Sequence, residues 1–245
     1  MNLDHQSPAA DRPLSGDGSC LKSAHFVTTI LHQFAESLGN AIDAKDPHTS
    51  MHSAEVAQIS YALALVMGLS QREASIIHVA GHLHDIGKIG VPDAVLRKQG
   101  PLDPTEWQAI RKHPDAGADI LRPVAALKSL GVVDMVLHHH ERFDGDGYPH
   151  RLKGDAIPLG ARIITLADSL SAMLQNRPYR CSRSYDAAHR EVIRCSGAQF
   201  DPKVVEAFRI SSEGIRGIIE QLGKTVETGP CPAEAYKKFV QDRTL

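Results

Sequence analysis

Apolar residues recur at helical spacing from about residue 27 onward. The first apolar face comprises Val27, Ile30, Leu31, Phe34, Leu38, Ala41 and Ile42. Intervals of three and four residues place these side chains on one side of an α-helix. Alternation with a period of two, which would indicate a half-buried strand, is nowhere sustained over a strand length. The pattern therefore predicts an all-α fold.

Capping residues locate the start of two of these helices. Ser70 is followed three residues later by Glu73, and Asp103 by Glu106. Each pair forms a capping box, in which the two side chains satisfy backbone N–H groups that the first turn leaves unpaired. The first box predicts a helix running to about Gly87. The second predicts the helix that carries Trp107 and Ile110.

The other helices follow from the same periodicity. They are predicted from about residue 49 to 68, at 132–140, from 158 onward, and at 185–194, 202–208, 213–222 and 232–241. Residues 1–20, rich in Pro, Gly, Ser and Asp, are predicted to be a disordered lead. Residues 21–210 form the main domain, and 211–245 a helical tail that packs on this domain or on a second subunit of a homodimer.

Composition narrows the class of protein. The chain has 245 residues, of which 42% are hydrophobic and 23% charged, as in an ordinary globular domain. A formal charge of −2 argues against DNA as a partner. No apolar run approaches the roughly 18 residues of a membrane span, and the first residues do not resemble a signal peptide. Four scattered cysteines without a C-x-x-C pair suggest neither disulfides nor a structural zinc, so a cytoplasmic location is expected.

Histidine is the unusual component. The chain has 14 His against six Phe, five Tyr and one Trp. Adjacent residues on a helix point about 100° apart, so His84 and Asp85 cannot both meet one metal unless the helix end opens there. The natural arrangement is that each reaches in a different direction and the carboxylate is able to bridge two ions. The other candidates on predicted helices are His52, His113, His139, His140 and Asp168. Imidazole and carboxylate together suit Fe, Mn, Ni or Zn.

Most single histidines have a simpler interpretation. A lone His is usually a surface residue or a satisfied polar residue rather than a metal ligand. This applies to His5, His25, His32, His78, His82, His150 and His189. His138 is interpreted as the outer member of its triplet, facing the core or capping its helix.

An ordered series of motifs resembles the HD-GYP branch of the HD superfamily of metal-dependent phosphohydrolases. The series covers about residues 40–210, in order and at the spacing of the family. It comprises A-I-D-A-K-D-P at 41–47, H-S at 52–53, H-D-I-G-K-I-G-V-P at 84–92, P-L at 101–102, H-P at 113–114, H-H-E-R-F-D-G-D-G-Y-P at 139–149, P-L-G-A-R-I at 158–163, A-D at 167–168, R-P-Y-R at 177–180 and Q-F-D-P at 199–202.

The resemblance implies a fold, a metal centre and a substrate. The fold is an HD-domain helical bundle with additional C-terminal helices of the GYP type. The substrate class is cyclic di-GMP, a bacterial second messenger, which the family hydrolyses to linear pGpG and often on to GMP. Two divalent cations, with Fe or Mn as the best expectation, would lower the pKa of water and clamp the phosphoryl oxygens. One cation would be held by His52, His84, Asp85 and Asp168, the other by His113, His139 and His140, with Asp85 bridging the two.

The resemblance also assigns the substrate contacts. Lys88, with Asp85, belongs to the catalytic set and would place a fixed positive charge on the phosphate. Arg177 and Arg180 would meet the second phosphate or a guanine edge. Tyr148, in a glycine-flanked loop, would line the pocket or stack on a base. Solvated surface charge is the alternative interpretation of Lys88 and the two arginines.

Two positions depart from the family pattern. His48 stands where the family usually has Tyr, or Glu in members with a third metal. At i, i+4 from His52, His48 is proposed to contribute to a third metal or to tune the first; the alternative is an aromatic wall. Ser171 stands where the family commonly has a second Asp, one turn from Asp168. The absence of that aspartate removes negative charge near the metals or a hydrogen bond to a ligand.

Other functions stay open at this point. The substrate could be another cyclic dinucleotide such as cyclic GMP-AMP, or the chain could be a general HD-type nucleotide phosphohydrolase. From a different class, it could be a binding or adaptor module that contacts partner proteins through the loop 145–149. That last hypothesis predicts dinucleotide binding without turnover.

Overall fold

The computed structural model describes residues 17–46, 51–176 and 182–223, with side chains from residue 29 onward. Over these ranges the chain forms eleven α-helices, two short 3₁₀ helices and no strand, which confirms the all-α prediction. The α-helices are α1 Asp17–Lys45, α2 His52–Val66, α3 Gln71–Leu83, α4 Asp93–Leu96, α5 Pro104–Arg111, α6 His113–Leu121, α7 Ala125–Ser129, α8 Val132–His138, α9 Leu159–Leu174, α10 Tyr185–Arg194 and α11 Pro202–Gly223. The 3₁₀ helices are Ile86–Gly90 and Gly154–Ala156.

Backbone contacts divide the chain into two units, residues 1–34 and residues 35–245. In the first unit the described residues are helical, and Ile30, Leu31 and Phe34 are exposed. The second unit contains the hydrophobic core and every candidate site residue that is described. No helix in the described ranges is long and apolar enough to cross a bilayer.

Helices α2 and α9 form the centre of the second unit. Helix α2 packs against α3, α9 and α11, and most of its residues are buried. A helix that is apolar around most of its circumference is one that neighbours surround. Ile59 and Leu63 of α2 and Leu166 and Leu170 of α9 are fully buried in one core cluster. Among the buried residues of α2, His52 and Glu55 carry titratable side chains.

Both predicted capping boxes are present. The Ser70 hydroxyl accepts from the Glu73 N–H, and Asp103 accepts from the Glu106 N–H. The first helix, however, ends at Leu83 rather than near Gly87. Asp85 leaves the helical region with φ −97° and ψ 6°, and the chain continues as a 3₁₀ helix. The helix thus opens at the His84-Asp85 pair.

Other boundaries differ from the predictions. The separate helices predicted at 202–208 and 213–222 are one helix, α11, because the Ser211 hydroxyl bonds back to the Ala207 carbonyl and the helix continues through it. Helix α8 ends at His138, two residues early. Helix α1 begins at Asp17, inside the predicted lead. The rest of that lead and the helix predicted at 232–241 lie outside the described residues.

Candidate metal centre

Helix ends bring the candidate ligands together from five parts of the chain. His52 and His113 are the first residues of α2 and α6. The pair His84 and Asp85 follows α3, and the pair His139 and His140 follows α8. Asp168 is the only member in the middle of a helix, on α9. Side chains at helix ends meet here without interrupting the apolar faces that hold the helices together.

The described residues contain two groups with the spacing of a metal site. One group is His52, His84 and Asp85, and the other is His113, His139 and His140; within each, one ligand atom per residue lies within 4.8 Å of the others. Asp168 faces both groups, with Oδ1 3.2 Å from His52 Nε2 and Oδ2 4.0 Å from His140 Nδ1. These two groups contain six of the seven residues that the resemblance implied as ligands of the two cations, and the seventh, Asp168, contacts both groups.

Asp85 connects the two groups. Its Oδ2 lies 3.3 Å from His84 Nε2 and 3.9 Å from His52 Nε2, whereas its Oδ1 lies 3.2 Å from His113 Nε2. Each carboxylate oxygen thus faces a different group. This is the arrangement that a carboxylate needs to bridge two cations, which stand about 3.5–4 Å apart in two-metal hydrolytic sites.

Backbone carbonyls fix the orientation of three of the imidazoles. Nδ1 of His84, of His113 and of His139 each lies 2.6–2.7 Å from the carbonyl oxygen three residues earlier. A carbonyl only accepts, so each Nδ1 carries a proton, and when the ring is neutral its free electron pair is on Nε2. Fixing the tautomer through the distal nitrogen is typical of metal-binding histidines.

The side chains fit a cation better than they fit each other. His84 Nε2 is buried and makes no hydrogen bond within the described residues. His113 Nε2 and His139 Nε2 face each other at 3.2 Å, although both Nδ1 atoms already hold the ring protons. Two free electron pairs repel at that distance unless a positive charge joins them. The donor set of imidazole and carboxylate without thiolate suits a divalent transition metal.

The charge states of three of the candidate ligands also favour the binding of a divalent cation. Burial opposes the charge on Asp85, but Lys88 and His84 outweigh it and hold the pKa of Asp85 well below its usual range. Asp168 also has a lowered pKa, because the hydrogen bond and positive charge of protonated neighbouring imidazoles outweigh the cost of burial. A cation would supply the same charge beside neutral imidazoles. Burial and the neighbouring His113 lower the pKa of His140 to about 3. The carboxylates are therefore charged and His140 is neutral, which is the state that metal binding requires. His84 differs: although burial lowers its pKa, the Asp85 carboxylate raises the pKa of His84 to about 9, so a cation would have to displace a proton from this ring.

Lys88 lies beside the centre and pairs with two carboxylates. Its Nζ is 2.7 Å from Asp85 Oδ2 and 3.5 Å from Asp46 Oδ2. Burial works against the ammonium charge, but these two carboxylates raise the pKa of Lys88 above its ordinary value. Lys45 then secures the 3₁₀ helix that carries Lys88, donating to the carbonyls of Lys88, Ile89 and Val91. Lys45 was not a predicted site residue.

Tyr148 forms a wall next to the second group. Its ring stacks on His140 with centroids 4.9 Å apart, and the Arg111 guanidinium lies 5.3 Å from the same ring. Buried Glu141 holds this loop by accepting the backbone N–H groups of His150 and Leu152. Neither Arg111 nor Glu141 was predicted, since neither has a spacing that sets it apart from other charged residues.

The remaining histidines of the described ranges are not part of the two groups. His78 and His82 contact each other, with ring centroids 4.7 Å apart, and belong to neither group. His138 pairs with His150. His48, Arg177 and Arg180 lie outside the described residues.

One polar residue on α2 was missed although the sequence carried a signal for it. Glu55 lies one turn after His52, carries the single carboxylate of a helix that has no Lys or Arg, and is buried. A charged residue on the buried face of a central helix indicates a specific partner. Its partner is Ser171 of α9, whose hydroxyl donates to Glu55 Oε2 at 2.5 Å.

Comparisons with known proteins identify the family of the chain and support its fold. The HD-domain family model matches residues 36–204. The chain belongs to the HD-domain family, as the motifs indicated. Among solved structures, a cyclic GMP-AMP-specific phosphodiesterase of Vibrio cholerae superposes with a TM-score of 0.61 at 22% identity, covering 83% of this chain and 55% of that one. The HD domain of the Listeria monocytogenes phosphodiesterase PgpH in complex with cyclic di-AMP superposes with a TM-score of 0.52 at 19% identity. The match covers 74% of this chain and 97% of that one.

Curated relatives are closer in sequence. A cyclic di-GMP phosphodiesterase of Thermotoga maritima is 40% identical over 180 residues, which is 73% of this chain and 49% of the relative. A cyclic di-GMP phosphodiesterase response regulator of Xanthomonas campestris is 37% identical over 209 residues, or 84% and 55%. A 3'3'-cGAMP-specific phosphodiesterase of Vibrio cholerae is 37% identical over 170 residues, or 69% and 33%. The chain thus spans between a third and about half of the length of these relatives.

Proposed function

We propose that the chain is a metal-dependent phosphodiesterase that hydrolyses cyclic di-GMP to linear pGpG, GMP or both. The observation that carries this proposal is the position of Asp85, with one carboxylate oxygen toward each histidine group. The names of the Thermotoga and Xanthomonas relatives support the choice of substrate. The residues proposed to hold the metals are those that the resemblance implied, with His52, His84, Asp85 and Asp168 on one side and His113, His139 and His140 on the other.

The reaction replaces one phosphorus–oxygen bond by another. Water attacks the phosphorus, the bond to the ribose 3' oxygen breaks, and that oxygen leaves with a proton as the 3' hydroxyl. Bound divalent cations supply a lowered pKa for water and neutralise charge on the phosphoryl oxygens. No nucleophile from the protein is required. The chain's own task is to hold and orient the ligands, which the Nδ1 bonds of His84, His113 and His139 accomplish.

Lys88 contributes charge rather than a proton. Because the carboxylates of Asp85 and Asp46 raise its pKa, the ammonium group stays charged at neutral pH and is a poor proton donor. It would therefore act as a fixed cation beside the phosphate. Tyr148 would line the pocket on the side of His140, and Arg177 and Arg180 would bind the second phosphate or a guanine edge.

The metals are proposed to be iron or manganese, since sites of mixed imidazole and carboxylate accept both. A third cation beside His48 is a further part of the proposal and rests on the i, i+4 spacing of His48 and His52. Elemental analysis of wild type and His48→Ala tests it. The hypothesis expects one metal ion fewer per chain in the variant, and an unchanged count contradicts it.

Turnover is the direct test of the function. The full chain is loaded anaerobically with Fe²⁺ or Mn²⁺ and incubated with cyclic di-GMP, 3'3'-cGAMP and mononucleotides, and products are separated by chromatography. We expect pGpG or GMP from cyclic di-GMP, and no product with Asp85→Ala. Preference for cGAMP would favour the second candidate, which the Vibrio relative suggests. Phosphate released from mononucleotides would indicate a general phosphohydrolase, and binding without turnover an adaptor.

A further inference from the structure

His52 is held differently from the other proposed ligands. Its Nδ1 lies 2.9 Å from the hydroxyl oxygen of Ser171, whereas Nδ1 of His84, His113 and His139 each meets a backbone carbonyl. A hydroxyl both donates and accepts, so by itself it leaves the tautomer of His52 undetermined. Some other group has to decide which partner donates.

Glu55 is that group. The Ser171 hydroxyl donates its single proton to Glu55 Oε2 at 2.5 Å. The Ser171 oxygen is then available to His52 only as an acceptor, so the proton between them is on His52 Nδ1. His52 Nε2 is left with a free electron pair, and this atom faces Asp168 Oδ1 at 3.2 Å and Asp85 Oδ2 at 3.9 Å.

The burial of this chain of contacts argues for a specific role. Ser171 is fully buried and Glu55 is 8% exposed. No Lys or Arg of the described ranges forms an ion pair with Glu55, and its further contact is a long hydrogen bond of 3.4 Å from the Gln175 amide. A buried carboxylate without a cationic partner is costly. An apolar residue at this position would make the fold more stable. The presence of a carboxylate therefore indicates a specific role.

We infer that Glu55, acting through the Ser171 hydroxyl, is a positioning residue that fixes the tautomer and ring orientation of His52 for metal binding. This inference rests on the proposed metal centre. It also explains the departure at Ser171, where the family resemblance leads one to expect an aspartate. The carboxylate is supplied from α2 instead of α9, and the serine connects it to the histidine.

The test observes the His52 ring proton directly. The full chain, labelled with ¹⁵N and loaded with Zn²⁺ as a diamagnetic probe, is studied by NMR, and the His52 Nδ1–H signal is identified by its loss in His52→Gln. The exchange rate of this proton with water and the dissociation constant of Zn²⁺, from competition with a chelator, are measured in Ser171→Ala, Glu55→Gln and the double variant. Ser60→Ala is the matched control. Ser60, on α2, is a buried serine like Ser171, but its hydroxyl makes no hydrogen bond within the described residues.

We expect Ser171→Ala to raise both the exchange rate and the dissociation constant by about tenfold or more, the range seen when such supporting groups are removed. Glu55→Gln should give a smaller change in the same direction, because an amide oxygen accepts more weakly than a carboxylate. The double variant should lie close to Ser171→Ala, since the hydrogen-bond path from Glu55 to His52 runs through the serine. Ser60→Ala should match wild type.

Unchanged exchange and affinity in Ser171→Ala overturn the inference, and so do effects of the two substitutions that simply add. The inference and the proposed function fail in different ways. A wild-type chain that binds Zn²⁺ and shows the expected proton, but does not hydrolyse any cyclic dinucleotide when loaded with Fe²⁺ or Mn²⁺, contradicts the function and leaves the role of Glu55 standing.

Discussion

Asp85 owes its position between the two histidine groups to the end of a helix. An intact α-helix would carry its side chain about 100° away from that of His84. Because α3 ends at Leu83 and Asp85 adopts a non-helical backbone, both side chains belong to the same group with His52. The carboxylate then offers Oδ2 to one group and Oδ1 to the other. The bridging geometry is thus a property of a single residue in an irregular backbone conformation.

Replacing this carboxylate by an amide tests its charge separately from its shape. In Asp85→Asn one oxygen becomes an NH₂ group, which cannot bind a cation. We expect the number of metal ions per chain to fall from about two to one or none, and turnover to fall to about 1% of wild type or less. Elemental analysis and product chromatography measure the two effects. Asp119→Asn is the control, because Asp119 is an exposed partner of Arg122 on α6; a normal metal count in Asp85→Asn would contradict the bridging role.

At the scale of elements, the contact between the 3₁₀ helix Ile86–Gly90 and α6 determines the distance between Asp85 and His113. Gly87 allows this contact, because a Cβ atom at that position would collide with the backbone of His113 and of Gly117. The 3₁₀ helix therefore approaches α6 closely enough for Asp85 Oδ1 to reach His113 Nε2. Lys45 holds the opposite side of the same segment.

Adding one methyl group at this contact should separate the two halves of the centre. In Gly87→Ala the 3₁₀ helix has to move away from α6, at a cost of about 1–3 kcal/mol, which corresponds to a fall in Tm of about 2–12 °C for a chain of this size. Metal binding should fall as well. Gly90→Ala is the matched control, since a Cβ there meets nothing within 4 Å. Equal Tm and metal content in the two variants would show that the close contact is not needed.

Elements also show where sequence reasoning succeeds and where it stops. Ser70 and Asp103 allow the start of their helices to be predicted because a capping box is a local pair of residues three positions apart, and both boxes are present. The end of α3 at Leu83 has no such local signal. It depends on the packing of Gly87 against α6, a contact between segments that are distant in sequence, so the periodicity alone extends the helix too far.

At the scale of the molecule, the site is assembled from four helix ends and the middle of α9, spread over residues 52–168. Its histidines and aspartates could be predicted because they belong to motifs in a recognisable order. Glu55 could not be connected to Ser171 in the same way, since the two residues are 116 positions apart and meet only when α2 packs against α9. The sequence thus predicts which residues form the centre, while their support is visible only in the folded chain.

The central claim is that two adjacent cations share Asp85 inside this bundle. Crystals of the full chain grown with Mn²⁺, measured by anomalous diffraction near the manganese edge, test it most directly. The account predicts two strong peaks about 3.5–4 Å apart, one among His52, His84 and Asp168 and one among His113, His139 and His140, with the Asp85 carboxylate between them. A single peak on one group, or manganese bound only elsewhere on the chain, would contradict it.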